Sequence, residues 1–191
     1  MKLAFSTLGC PDFDWSDIYS LAKDFGFDGI ELRGLGAQIF SIHAKPFQED
    51  ALPKTVEYLN RMHLEIPCLS SGCCIKYREN AQNTLQELLE YIELASKLNT
   101  PYIRILGDLH AAPEGDVDDE VVLSALRALI PFAEEKGVTL LVETNGVYSD
   151  TRRLSELLNQ IPSDAVAALW DMHHTYRYGG ESPEHTVQNL G

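Results

Sequence analysis

The sequence predicts an α/β chain of repeating strand–helix units around a parallel sheet, and three observations point there. Short apolar runs recur roughly every 25 to 40 residues, the length of a strand, a helix and their connections, which implies right-handed crossovers between parallel neighbours. The segments between these runs carry apolar residues at helical period. Two of the runs close on a carboxylate, Glu143 and Asp171, as expected where strands deliver polar groups to one edge of a sheet.

Six strands are expected, at 2–6, 29–33, 66–70, 102–106, 139–143 and 166–171. The first helix, 14–25, opens with Asp14 as N-cap and Asp17 in its first turn, and stops at Gly26, the residue type that best takes a left-handed terminal turn. A second lies within 47–62, where Pro53 reads as an interruption. Leu85, Leu88, Leu89, Ile92 and Ala95 form the stripe of a third. Val122, Ala125, Leu126, Leu129 and Ala133 form that of a fourth, which ends before Gly137 and is expected to bend at Pro131. A fifth spans 150–160, and Ser182-Pro183 opens a sixth. A closed eightfold barrel takes about 250 residues. The expectation is therefore one domain, 1–191, a (β/α)8 barrel lacking its last two strands, with an open doubly wound sheet as the alternative. Against the open sheet, the first strand-to-helix junction, 6–11, has no Gly-x-Gly-x-x-Gly dinucleotide loop, and no Walker loop occurs.

Composition narrows the partners. With 15 basic against 29 acidic residues and a formal charge of -14, the chain repels phosphate backbones, and no basic or basic-aromatic cluster builds a local groove for nucleic acid. The longest uncharged stretches, such as 66–75, fall short of the roughly 18 apolar residues that span a bilayer. The N-terminus reads as a first strand rather than a signal peptide, so a cytoplasmic location is expected. Cys10, Cys68, Cys73 and Cys74 lack Cys-x-x-Cys spacing and read as reduced packing residues, with Cys73 and Cys74 just past a strand end.

Two acids at equivalent ends of neighbouring strands form a place for a cation, whereas either acid alone reads as a helix cap or a solvated loop residue. His173 and His174 follow Asp171 and strengthen the first reading. Glu31 and Arg33 share a face of the second strand, Arg104 lies within the fourth, and a structural pair of Glu31 with Arg104 or Arg33 is expected because buried charges need partners. His43 and His110 follow the second and fourth strands as candidate pocket edges, Trp15 and Trp170 read as packing residues, and His63 and His185 as helix-surface residues.

The ordered set 2–7 (KLAFST), 25–33 (FGFDGIELR), 141–146 (LVETNG) and 170–174 (WDMHH) resembles the xylose-isomerase-like TIM barrels, a superfamily of sugar isomerases and epimerases with abasic-site endonuclease relatives. The resemblance covers essentially the whole chain. It implies a divalent cation held by a Glu after strand five, an Asp after strand six, a His near strand seven and a Glu near strand eight; Glu143 and Asp171 match the first two. The other two ligands would lie beyond Gly191. It also implies that His174, in Asp-x-x-His spacing with Asp171, contacts a substrate oxygen, with His173 as the competing candidate. Asn145 stands where such barrels often carry a His, and can hydrogen-bond a hydroxyl without serving as a proton shuttle. Manganese, magnesium, cobalt and zinc all suit such a ligand set.

The implied activity is metal-dependent isomerisation or epimerisation of a sugar or sugar phosphate, with Glu143 moving a proton through an enediolate. Alternatives are a polyol-ketone dehydratase on the same scaffold, and a non-catalytic, metal-free barrel whose unpaired first and sixth strand edges favour homo-oligomers. An abasic-site endonuclease fits least, because no histidine closes the third strand at 69–72. The expected partner is a small carbohydrate, with neither nucleic acid nor membrane. With only half of the ligand set, weak metal binding and catalytic silence are expected of residues 1–191 alone.

Overall fold

A computed structural model describes residues 1–36, 38 and 41–191. The chain folds into two compact units, 1–72 with 90–103, and 73–89 with 104–191.

In the first unit β1 (Ala4–Ser6) and β2 (Gly29–Glu31) pair in parallel, with Phe5 opposite Ile30. Gly29 and Leu32 bridge in parallel to Glu65 and Leu69. Helix α1 (Trp15–Asp24) has the Asp14–Asp17 capping box and buries Ile18 and Ala22. The chain leaves it through Gly26 at φ +71, a conformation that a Cβ would strain. Helix α2 (Leu52–Met62) resolves the Pro53 question: the ring falls in the first turn, where its missing N–H would have had no intrahelical partner. His63 ends that helix in left-handed conformation, at φ 53. Trp15 stacks edge-on against Tyr19 and Phe47, so it packs as its sequence context suggests.

Strand β3 (Cys68–Cys74) runs four residues past the expected end, so Cys73 and Cys74 lie within it rather than beyond it. Ser70 and Ser71 are fully buried there, and Ser70 Oγ donates to the Glu31 carboxylate. All four cysteines are free thiols. Helix α3 (Ala81–Leu98) and β4 (Tyr102–Leu106) follow.

In the second unit Ile75 N–H, just past β3, donates to Leu106 O at 2.9 Å. There β5 (Thr139–Glu143) runs parallel to β6 (Val166–Leu169), with Leu141 opposite Ala167. Helix α4 (Asp119–Lys136) continues through Pro131 and buries Val122, Leu126, Leu129 and Ala133. Helices α5 (Thr151–Leu158), α6 (Met172–Arg177) and α7 (Pro183–Leu190) complete it. Among the described residues no helix is long and apolar enough to cross a membrane.

A buried carboxylate ties the last helices together. Glu181 Oε1 accepts from Thr151 N–H at 2.9 Å, and Oε2 accepts from the Thr151 and Thr186 hydroxyls at 2.6 and 2.7 Å. Burial opposes ionisation, but the hydrogen bonds from Thr151 and Thr186 outweigh it and hold the carboxyl below its ordinary value of 4.5. Because the folded value lies below the unfolded one, this contribution to stability is fully present above about pH 4.5 and is lost as pH falls through the folded value. Glu181→Gln is expected to flatten the acid limb of a stability–pH curve measured by urea unfolding. An unchanged limb would rule out Glu181 as its source.

Candidate metal centre

Strand pairing brings two acids together. Glu143 is the register partner of Leu169, and one residue on, Thr144 N–H donates to Leu169 O at 2.9 Å. The buried Thr144 hydroxyl then accepts from Asp171 N–H at 2.8 Å, fixing the backbone of Asp171 beside the end of β5. Asp171 also caps α6: its Oδ1 accepts from the N–H groups of His173 at 2.8 Å and His174 at 3.0 Å. The first turn of α6 carries the imidazole of His174 back over the cap, so that Nδ1 lies 3.6 Å from Asp171 Oδ2. Cap and ligand are thus compatible roles, one oxygen for each.

The Glu143 carboxylate is divided in the same way. Arg104 Nε reaches Oε2 at 2.8 Å, and Oε1 lies 3.6 Å from His174 Nδ1. Glu143, Asp171 and His174 each offer one donor atom, all within 4.8 Å of one another. Two donors held 2.0 to 2.2 Å from one ion at octahedral or tetrahedral angles stand about 2.8 to 3.6 Å apart. The 3.6 Å separations meet that requirement with little adjustment. His174 Nδ1 is buried without a hydrogen-bond partner among the described residues, a condition that native proteins rarely leave uncompensated. Two hard oxygens and one imidazole therefore fit a divalent cation of the manganese, magnesium, cobalt or zinc type.

The remaining candidates separate. Asn145 is buried immediately beyond Thr144, and its Nδ2 donates to His110 O at 3.4 Å. His173 is exposed, outside the three-residue group, and its ring stacks against His174 and Tyr178. His110 is exposed, with Nε2 3.7 Å from Glu114. His43 ends a short 3-10 turn in the first unit, and His185 is exposed on α7. Trp170 donates through Nε1 to the Thr175 hydroxyl at 2.9 Å.

Sequence reasoning did not assign Arg104, Thr144, Lys76 or Asp108 to the site. Either Arg104 or Arg33 was expected opposite Glu31; Arg104 sits on Glu143, 39 positions away, and its one signal was a charge flanked by the buried Ile103 and Ile105. Thr144 had been given no role of its own. Lys76 and Asp108 form a buried pair, Nζ to Oδ1 at 2.5 Å, with Asp108 fully inaccessible. Burial works to discharge Lys76, but the hydrogen bond and charge of Asp108 prevail and hold the ammonium above its ordinary value.

The model of the xylose isomerase-like TIM barrel family matches residues 19–190. The chain belongs to that family. No functionally curated protein matches the sequence. Among solved structures, it is similar to an IOLI protein with a bound zinc atom, at 19% identity and TM-score 0.76 over 94% of this chain and 66% of that one. It is similar also to the probable 3-DHS dehydratase AsbF of Bacillus anthracis, involved in petrobactin synthesis, at 20% identity and TM-score 0.79 over 100% and 69% of the two chains. An L-ribulose 3-epimerase aligns at 15% identity and TM-score 0.74 over 92% and 62%. At these identities the likeness is one of fold, and the chain spans about two thirds of the length of these proteins.

Proposed function

We propose that Glu143 and Asp171 hold a divalent cation at the carboxyl ends of β5 and β6, in an enzyme that isomerises or epimerises a sugar or sugar phosphate. The carrying observation is the convergence of Glu143, Asp171 and His174 within 4.8 Å, with His174 Nδ1 otherwise unpartnered among the described residues. The family and the epimerase among the similar structures support a small carbohydrate as substrate.

The bound cation would act as a Lewis acid on a carbonyl and a neighbouring hydroxyl. Glu143 takes the proton from the carbon beside that carbonyl and returns it, with Arg104 on Oε2 setting the direction in which Oε1 points. Asp171 keeps α6 capped, and so keeps His174 over the site. His174 acts there either on the cation or on a substrate oxygen beside it. A cytoplasmic location remains part of this reading.

The second reading, loss of water from a polyol ketone, is favoured by the dehydratase among the similar structures. One experiment, on the protein as its whole coding sequence specifies it, separates the two, since residues 1–191 alone are expected to be catalytically silent. With manganese and a panel of ketoses in D2O, the leading reading expects deuterium on the carbon flanking the carbonyl without loss of water, and no exchange in Glu143→Gln. Deuterium accompanied by water loss favours the dehydratase. No exchange with manganese, magnesium, cobalt or zinc would remove proton transfer from consideration. In the same assay, His174→Ala that keeps manganese affinity but raises KM assigns His174 to substrate; a fall in manganese affinity assigns it to the cation.

A further inference from the structure

We propose that Asn145 is a fixed hydrogen-bond acceptor that selects a substrate hydroxyl beside the reacting carbonyl; this rests on the cation site proposed above. The turn that carries it is held on three sides. Gly146 N–H donates to Ala111 O at 3.0 Å, Val147 N–H donates to Asp108 Oδ2 at 3.0 Å, and Asn145 Nδ2 donates to His110 O at 3.4 Å. Asp108 is itself anchored by Lys76 and by Leu109 N–H at 2.8 Å. Gly146 adopts φ +56 and lies so close to Asp108 that an added Cβ would stand 2.2 Å from Oδ2, so the turn has little room to swing.

This lock settles which end of the amide is free. Turning the carboxamide over would set Oδ1 against the His110 carbonyl, two acceptors face to face, and would forfeit the Nδ2 bond. Oδ1 therefore remains the open end. It is buried, and it has no hydrogen-bond partner among the described residues, in a side chain only 4% exposed. A buried acceptor with no protein donor calls for an O–H or N–H from water or from a ligand. Asn145 follows by two residues the Glu143 proposed to handle the proton, and its N–H donates to Glu143 O at 2.8 Å, so a tight backbone turn joins the two. The donor that suits it is a neutral hydroxyl; a second carbonyl or a carboxylate would meet it oxygen to oxygen.

A cation-bound water is the other source of an O–H, and the test separates the two. Manganese affinity is measured first by electron paramagnetic resonance on the wild-type chain and on Asn145→Leu, which keeps the branching of the side chain and removes both the Oδ1 acceptor and the Nδ2 donor. Binding of D-fructose, 1-deoxy-D-fructose and 3-deoxy-D-fructose to each manganese-loaded protein then follows by calorimetry. We expect manganese affinity unchanged within threefold. Fructose should weaken about tenfold in Asn145→Leu, while one of the two deoxy sugars binds both proteins equally, as removal of one neutral hydrogen bond predicts. Equal losses for all three sugars, no loss, or no binding of any sugar by the manganese-loaded protein would overturn the proposal. A tenfold fall in manganese affinity would overturn it in favour of the cation-bound water. Failure of the wild-type chain to bind manganese would instead overturn the cation site on which the proposal rests.

Discussion

Asp171→Asn is expected to weaken manganese binding by at least about a hundredfold while leaving the fold intact. Asparagine caps helices about as well as aspartate, so α6 keeps its acceptor for the N–H groups of His173 and His174. What disappears is one negative charge and one hard oxygen, Oδ2, from the three-donor set. Losing an outer partner of a metal ligand typically costs 10- to 100-fold in affinity, and losing a ligand should exceed that. Asp171→Ala removes the cap as well and should lower stability by about 1 kcal/mol in addition. The two substitutions together divide the roles of one side chain: equal manganese affinity in wild type and Asp171→Asn would leave Asp171 as a cap alone.

The largest stability effect is expected at Asp108. Asp108→Ala leaves the Lys76 ammonium, 11% exposed, without its counter-charge, and takes the acceptor from the Leu109 and Val147 N–H groups. Breaking one side of a buried ion pair costs about 3–5 kcal/mol, which for a chain of this size lowers Tm by about 6–20 °C. Asp108→Asn keeps an acceptor and loses only the charge, so it should fall between wild type and Asp108→Ala. Replacing the whole pair, Lys76→Met with Asp108→Leu, should recover part of the loss, because an apolar pair carries no stranded charge. Thermal and urea unfolding of the wild type and the three variants check this order. A loss below about 1 kcal/mol for Asp108→Ala would mean that water compensates Lys76, and would weaken the case for a locked β5 turn.

The parts of the fold that were legible in the sequence share a physical reason. β4 and β5 fall at their expected bounds because each is a short run rich in β-branched and aliphatic residues with one fully buried face, Ile103 and Ile105 in one, Leu140 and Val142 in the other. The helices announced themselves through caps, as at Asp14 and Ser182. β3 was misplaced because Ser70-Ser71-Gly72 looks like a turn by composition; the chain instead buries those serines, with the Glu31 carboxylate accepting from Ser70. α6 escaped notice because its six residues are too few for an apolar stripe, and its start is set by the cap at Asp171.

The candidate centre divides in the same way. Glu143 and Asp171 were visible because strand ends are local features, and the His174 spacing follows from one helical turn. Arg104 on Glu143 and Lys76 on Asp108 were not, since each joins residues more than 30 positions apart whose meeting depends on strand order. Periodicity places a charge on a strand. It does not say which carboxylate that charge will face.

The cation site is tested most directly by anomalous diffraction from crystals of the protein soaked in manganese, collected on both sides of the manganese absorption edge. The expected result is one strong anomalous peak between β5 and β6, about 2.0 to 2.4 Å from an oxygen of Glu143 and an oxygen of Asp171. A peak elsewhere, or none beside these two carboxylates at saturating manganese, would contradict the site and return Asp171 to its role as a helix cap and Glu143 to its pairing with Arg104.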